Sequence, residues 1–353
     1  FVLYLTKSIR KGISMKKYLQ EQNIDLSAKA YFIDALGAMA FGLFASLLVG
    51  TILNSIGTSF GIDFLTERIW PLVTKSTGAA IAVSIAYALK APSLILFAVT
   101  IVGNGAYELG GPVGVYVATI FAVEFGKLVS KRTKLDIIIT PALTILVGIL
   151  VGDFIGPGVA GFMASLGNVI MKATELQPFL MGIVVAVLVG LALTLPISSA
   201  AICMMLSLSG LAGGAATVGC SAQMIGFAII SYKDNGLEGL LAQGLGTSMF
   251  QVPNTIKNPW IWLPPTLAGA ILGPLATVVF KMENSPLGSG MGTSGLVGQI
   301  ATINTMAGAR PVSILLLQVL LLHFILPGLL SFIIYKIMDK KDLIKDGDMK
   351  IDF

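Results

Sequence analysis

The chain has 353 residues, of which 55% are hydrophobic, 12% are charged and 40 are glycine, and its net charge is +5. Soluble domains carry about 25% charged residues, so this composition excludes a water-soluble globular protein, and its hydrophobicity excludes intrinsic disorder. One histidine and two cysteines are too few for a His/Cys metal site or a disulfide scaffold. We expect an all-α integral membrane protein without a metal or another cofactor.

The first predicted segment, residues 1–29, is a basic helix that lies on the membrane surface. Val2, Leu5, Ile9 and Ile13 follow helical spacing, and lysine and arginine side chains supply a charged face. A helix of this kind binds an anionic leaflet without crossing it. An ordinary solvated cytoplasmic helix is the alternative.

Long apolar stretches then recur across a predicted transmembrane domain, residues 30–338, which is followed by a cytoplasmic tail, residues 339–353. A helix of about 20 apolar residues crosses roughly 30 Å of hydrocarbon. The stretches from Ala91 to Tyr107 and from Leu109 to Val123 count as two such helices. Segment lengths along the domain predict about ten transmembrane helices.

Basic residues concentrate before residue 30, at residues 127–134 and in the tail. The positive-inside rule places all three regions, and with them both termini, in the cytoplasm. An even number of crossings must then separate each region from the next. The chain contains no Walker loop, dinucleotide fingerprint or nucleic-acid module, so ATP-driven transport and a nucleic-acid partner are not expected.

Three glycine-rich polar stretches interrupt the apolar sequence: residues 103–112, 243–259 and 281–295. Irregular backbone survives at membrane depth only inside protein or beside a water-filled cavity, and broken helices mark the substrate sites of transporters. We therefore expect re-entrant hairpins that bind a small polar solute. The alternative for each stretch is a loop or turn outside the hydrocarbon. The candidate substrate-binding residues are Asn104, Glu108, Gln251, Asn254, Asn258, Glu283 and Ser294.

The order of several motifs resembles the enzyme IIC membrane subunit of the sugar phosphotransferase system. Residues 258–265 (Asn-Pro-Trp-Ile-Trp-Leu-Pro-Pro) resemble the Asn-Pro-x-x-x-(Ile/Leu)-Pro segment of its glucose/lactose branch, and residues 285–290 fall where that branch has a Gly/Pro-rich substrate hairpin. Residues 136–158 and 195–202 are also similar to that family. The most similar subgroup is the stand-alone enzyme IIC-like proteins that include the perfringolysin regulator.

This resemblance implies a homodimeric bacterial inner-membrane protein with about ten spans, a scaffold part and a transport part that moves like an elevator. It also implies separate cytoplasmic IIA/IIB chains, of which one carries a phosphocysteine that phosphorylates the sugar. The expected activity is transport of a sugar or sugar derivative. A sensor or regulator that does not transport is the alternative from another class.

One departure from the family pattern bears on the chemistry. The family has Gly-x-x-Glu-Pro before its Asn-Pro segment, whereas residues 246–250 read Gly-Thr-Ser-Met-Phe. A carboxylate can orient a sugar hydroxyl and accept its proton, but a hydroxyl or amide side chain can only hydrogen-bond it. Glu108 and Glu283 are candidates for orienting the solute or carrying a coupling proton. Whether the chain is the membrane subunit of a sugar phosphotransferase therefore stays open.

Overall fold

The computed structural model describes residues 15–351, so the first 14 residues of the predicted N-terminal basic segment, with Val2, Leu5, Ile9 and Ile13, lie outside the described residues. The described chain is helical, and one isolated β-bridge pairs Gly210 with Asn284. The helices are α1 (Met15–Glu21), α2 (Ala30–Thr58), α3 (Phe64–Ala88), α4 (Ser93–Val129), α5 (Asp136–Thr174), α6 (Pro178–Thr194), α7 (Ser199–Met205), α8 (Gly210–Ile230), α9 (Tyr232–Leu241), α10 (Val252–Lys257), α11 (Pro259–Val279), α12 (Pro286–Ser289), α13 (Val297–Met306) and α14 (Val312–Asp339).

Seven of these helices are long and apolar enough to cross a membrane: α2, α3, α4, α5, α8, α11 and α14. The seventeen-residue α6 is apolar but shorter. The all-α membrane fold expected from composition is therefore confirmed.

Helix α4 bends back on itself at Gly111. The backbone of Gly111 has φ 56° and ψ −151°, a conformation that favours glycine, and the carbonyl of Ala106 lies 2.7 Å from where a Cβ of Gly114 would stand. A straight helix would separate residues eight positions apart by about 12 Å. The two legs, 93–110 and 112–129, therefore run antiparallel, and each is about 27 Å long, close to the hydrocarbon thickness.

Helix α5 packs into the groove between the two legs of α4. The place of a Cβ on Gly148 lies 2.5 Å from Val102 and 3.0 Å from Ala122, one residue from each leg. Gly148 therefore lets α5 approach both legs of α4 closely, as small residues do at membrane helix interfaces. The structure thus agrees with the two separate spans that the sequence predicted in this region.

Helix α6 runs antiparallel to α11, and the segment after it turns back toward the start of α8. Pro178 at the start of α6 accepts a hydrogen bond from Thr277 near the end of α11, at 2.7 Å. The chain reaches Gln223 of α8 at Thr194 and then returns, because Gly210 pairs with Asn284 beyond the same end of α11. Seven described helices, one of which is a hairpin of two legs, are therefore candidate crossings by length and composition, and the expectation of about ten spans stays a prediction.

The described chain forms two compact units. Unit 1 comprises residues 15–46 and Leu72–Ala160, and unit 2 comprises Leu47–Pro71 and residues 161–351. Helix α8 lies at the centre of unit 2, where 89% of its most apolar window is buried. Gly219 of α8 lies directly against the carbonyl of Ala186 in α6, and Gly273 of α11 lies against the carbonyl of Gly182. Backbone-to-backbone packing of small residues therefore holds α6, α8 and α11 together.

The Gly219→Ala substitution is expected to lower the free energy of unfolding by about 1–3 kcal/mol, because the new methyl group overlaps the Ala186 carbonyl. Gly161→Ala is the matched control, since no atom lies within 4 Å of its Cβ position, and it is expected to raise the same free energy by up to about 1 kcal/mol. Denaturant unfolding in detergent measures both. Equal shifts in one direction would contradict the packing.

Candidate functional site

Two segments of unit 2 fold back on themselves, one at each end of α8. Hairpin A, residues 231–258, begins at the end of α8, where Gln243 Nε2 donates to Ser231 Oγ at 2.8 Å. Hairpin B, residues 281–306, begins beside the start of α8, where Gly210 and Asn284 exchange backbone hydrogen bonds of 3.0 and 3.2 Å. Both segments are irregular in the middle, with short helices and turns.

The tips of the hairpins meet beside the middle of α8. Thr293 Oγ1 of hairpin B donates a 2.5 Å hydrogen bond to the carbonyl of Gly244 in hairpin A, and it lies 3.5 Å from Met224 Sδ of α8. Hairpin B then returns, because the backbone nitrogen of Glu283 lies 3.3 Å from Met306 Sδ at its far end. Residues 243–259 and 281–295 thus fold back and are largely buried within unit 2, as the re-entrant interpretation expects, whereas residues 103–110 of the third stretch are part of helix α4.

Asn284 anchors hairpin B at its entrance. Its Nδ2 donates to Thr217 Oγ1 at 2.7 Å and to the carbonyl of Gly298 at 3.0 Å, and its Oδ1 accepts from the Ser285 N–H at 2.8 Å. The side chain is fully buried. One side-chain amide thus hydrogen-bonds α8 and both arms of hairpin B. The sequence alone did not reveal this role, because Asn284 stands among turn-forming residues.

Gln223 of α8 plays the corresponding part for hairpin A and is 1% exposed. Its Oε1 accepts from Thr194 Oγ1 at 3.1 Å and from Trp262 Nε1 at 3.0 Å, and its Nε2 donates to Thr266 Oγ1 at 2.9 Å. Thr194 also pairs with Ser248 near the tip of hairpin A, at 2.8 Å. Sequence reasoning missed Gln223, although a single amide inside the apolar run of α8 was a signal for it.

Of the candidate residues, Gln251, Asn254 and Asn258 lie together at the base of hairpin A. Their side-chain amides donate to main-chain carbonyls of the C-terminal segment: Gln251 to Met349 at 3.0 Å, Asn254 to Lys350 at 2.9 Å and Asn258 to Leu343 at 3.0 Å. These donors are therefore occupied by the chain itself in this structure. Their role as solute contacts stays a prediction.

Asn104 and the two candidate carboxylates, Glu108 and Glu283, lie away from this group of amides. Glu283 is exposed at the entrance of hairpin B, beyond the far end of α11 from Asn258, and 21 residues of helix span about 31 Å. Asn104 and Glu108 are exposed on the first leg of α4 in unit 1, where Asn104 Oδ1 accepts from the Ala79 N–H at 3.0 Å. Within unit 2, the structure therefore separates Glu283 from the amide group.

Ser294, at the tip of hairpin B, is 3% exposed and its Oγ has no hydrogen-bond partner. A buried hydroxyl without a protein partner has a hydrogen bond to offer to a ligand group or water, and Ser331 and Thr119 share this condition. The next residues, Gly295 and Leu296, line an apolar groove of about 300 Å³ together with Ile52, Ser55, Ile56, Phe60, Leu245 and Ile300. The tip of hairpin B thus combines the Ser294 hydroxyl with an adjacent apolar surface.

Unit 1 has a polar cavity of its own, of about 430 Å³, which Asn104 and Glu108 do not line. Its charged lining residues are of both signs: Asp25, Asp34, Lys90, Glu124 and Lys127. Lys127 is 1% exposed and donates to Glu124 at 3.3 Å and to the carbonyl of Asn23 at 2.9 Å. The opposite charges that line this cavity therefore partly neutralise each other. In this the cavity differs from the hairpin tips, which are uncharged.

Among the described residues, no Asp or Glu side chain belongs to the fully buried set, in which Lys127 is the charged member. At the hairpin A tip, Met249 and Phe250 are each 3% exposed. They occupy the positions of Glu and Pro in the family's Gly-x-x-Glu-Pro pattern. The interior around this tip is thus built from hydroxyl, amide and apolar groups.

A family model described as "Phosphotransferase system, EIIC" matches residues 33–351, nearly the whole chain. The chain belongs to this phosphotransferase system EIIC family. No curated protein and no solved structure matches the chain. The EIIC match covers both compact units and both hairpins, so it confirms the family inferred from the motifs around residues 258–265. The stand-alone subgroup stays a prediction.

Two serines of hairpin B are expected to respond oppositely to alanine. Ser289 Oγ lies 2.8 Å from the carbonyl oxygens of both Leu208 and Ser285, which share its one hydroxyl hydrogen, so Ser289→Ala is expected to lower the free energy of unfolding by about 1 kcal/mol. Ser294→Ala removes an unpartnered hydroxyl, so the unfolding midpoint is expected to stay or rise while solute affinity falls about fivefold. Thermal unfolding with and without solute separates the two effects.

If Ser294→Ala lowers the midpoint as much as Ser289→Ala does, Ser294 has a hidden structural partner and no ligand role. Unchanged solute affinity in Ser294→Ala would also contradict the assignment.

Proposed function

We propose that this EIIC-family chain is a carrier that moves a small polar solute, a sugar or sugar derivative, by elevator-type alternating access. The family and the apolar helices already make it a multi-pass membrane protein of sugar transport. In the proposal, unit 2 is the transport part, because it contains both hairpins. The protein acts as a homodimer.

The observation that carries the proposal is the meeting of two re-entrant hairpins at Gly244 and Thr293. Broken segments at the centre of a membrane protein expose main-chain and hydroxyl groups where a solute can bind. The groups near the contact are hydroxyls of Thr247, Ser248 and Ser294, which both donate and accept. Such groups suit an uncharged polyol, and the adjacent apolar groove suits the C–H face of a sugar ring.

The coupling that we propose is secondary transport on an ion gradient. Met249 cannot accept a proton from a sugar hydroxyl, which is the role that the family glutamate supplies to phosphoryl transfer. A phosphotransferase-linked permease that works with separate IIA and IIB chains is the alternative, and its support is the family itself.

We propose that both termini lie on the cytoplasmic side of a bacterial inner membrane. In this proposal, α2, α3 and the two legs of α4 are four crossings between the N-terminal basic region and residues 127–134. Helices α5, α8, α11 and α14 are four more between residues 127–134 and the tail, and α6 with the returning segment after it adds no net crossing. Even numbers in both cases agree with the positive-inside rule applied to the three basic regions.

Transport by the purified protein in proteoliposomes tests the function. With the carrier alone, labelled sugar is expected to accumulate when a proton or sodium gradient is imposed, because the gradient supplies the free energy. Accumulation only when phosphoenolpyruvate and the soluble phosphotransfer proteins are enclosed, with phosphorylated sugar as the product, would favour the alternative. A protein that neither accumulates nor exchanges any sugar, and shows no sugar-dependent rise in melting temperature, would overturn the carrier proposal.

The exposed carboxylates are the candidate coupling groups. Glu108→Gln or Glu283→Gln is expected to abolish gradient-driven accumulation while sugar exchange across the vesicle membrane continues, because the amide cannot carry a proton. Glu175→Gln, at the exposed end of α5, is the matched control and is expected to accumulate normally. Full accumulation in both test variants would remove both carboxylates from the coupling mechanism.

A further inference from the structure

The last residues of the described chain, 343–351, are held against the base of hairpin A by side chains that bind their main chain. The carbonyl of Met349 accepts from Asn235 Nδ2 at 2.8 Å as well as from Gln251. With the bonds from Asn254 to Lys350 and from Asn258 to Leu343, four amide side chains bind three carbonyls of the segment.

Hairpin A also supplies the acceptors that the same segment needs. The carboxylate of Asp234 accepts from the N–H groups of Gly347 and Met349 at 3.0 and 3.2 Å. Asn235 Oδ1 accepts from the Ile351 N–H at 2.7 Å. Donors and acceptors on both sides are therefore matched, which is the pattern of a groove that reads a peptide main chain.

The side chains of the segment divide into buried and exposed groups. Ile344 and Met349 are 1% exposed and Ile351 is 8% exposed, and the first two pack in a cluster with Phe227 and Tyr335. Lys345, Asp346 and Lys350 remain exposed. Asp346 forms an ion pair with Lys233, and this hydrogen bond raises the pKa of the Lys233 ammonium. Both groups are solvated, so the pair adds little to the docking.

A chain of amides leads from the docked segment to the tip of hairpin A. Asn254 Nδ2 donates to Gln251 Oε1, and Gln251 Nε2 donates to Gln243 Oε1, each at 2.9 Å. Gln243 is fully buried and directly precedes Gly244, the residue that contacts the tip of hairpin B. Departure of the segment would break the hydrogen bonds of Gln251 and Asn254 to its carbonyls and would expose this chain of amides to solvent.

We propose that residues 343–351 form a latch: a peptide that docks in a groove of hairpin A, from the same chain, and must leave before hairpin A opens. The groove is a site for a peptide with two spaced apolar residues, matching Ile344 and Met349, and the occupant is this chain's own C-terminal segment. The gating consequence rests on the proposed transport function, whereas the docking itself does not.

Met349→Glu tests the latch in the full chain, because a carboxylate in the apolar cluster disfavours docking without altering hairpin A. Hydrogen exchange of the backbone amides in residues 232–258 is expected to accelerate about tenfold, while exchange in α8 stays as in the unaltered protein. Lys350→Glu is the matched control, since its side chain is exposed, and exchange is expected to change less than twofold.

A chain that ends at Asp342 gives the second arm. A synthetic peptide of residues 343–353 is expected to restore slow exchange in residues 232–258, and a scrambled peptide is not. Slow exchange in Met349→Glu, or faster exchange in α8 to the same extent, would overturn the latch, as would a truncated chain that fails to fold. These readouts need no solute, so their failure is distinct from failure of the transport proposal. Faster sugar exchange by Met349→Glu in proteoliposomes would support the further claim that the latch gates transport.

Discussion

The need to satisfy buried polar groups in a chain surrounded by hydrocarbon governs unit 2. A main-chain amide or carbonyl without a partner costs several kcal/mol in lipid, so irregular segments persist only where protein supplies hydrogen bonds. Helix α8 supplies many of them. Thr217 binds the entrance of hairpin B through Asn284, and Gln223 binds the surroundings of the hairpin A tip through Thr194 and Trp262. Two polar side chains on one buried helix thus permit two breaks in the helical pattern.

The hairpins are positioned by side chains, and their tips are left with groups for a ligand. Ser199 Oγ donates to the carbonyl of Gly290 at 2.7 Å, and Ser289 binds Leu208, so the approach to the tip is satisfied by protein. Ser294 differs from these two serines, because its hydroxyl is buried and has no partner, a condition that it shares with the hydroxyl of Ser331 elsewhere in unit 2. Its place at the tip of hairpin B, beside an apolar groove, is what makes it a candidate for a ligand contact. In the proposed function, a sugar hydroxyl is the group that would bind there.

The amides at the base of hairpin A show how one residue type can serve two purposes. Gln251, Asn254 and Asn258 have the chemistry to bind a polyol, and it is the same chemistry that binds a peptide main chain. Here the acceptors are carbonyls of residues 343–350. A sequence pattern that predicts polar recognition is therefore met by the chain's own C-terminal segment, which lies about 90 residues further along the sequence.

Composition and local pattern by themselves determined the membrane class, the helical fold, the interruptions within residues 243–259 and 281–295 and the EIIC family, because these follow from hydropathy, helix breakers and motif order. Only the tertiary structure decided that the segment after α6 turns back toward the start of α8, that Gln223 and Asn284 anchor the hairpins and that Ser294 lacks a protein partner. It also separated Glu283 from Asn258. Each of these depends on contacts between residues far apart in sequence, and neither hydropathy nor glycine content records which distant carbonyl an amide will reach.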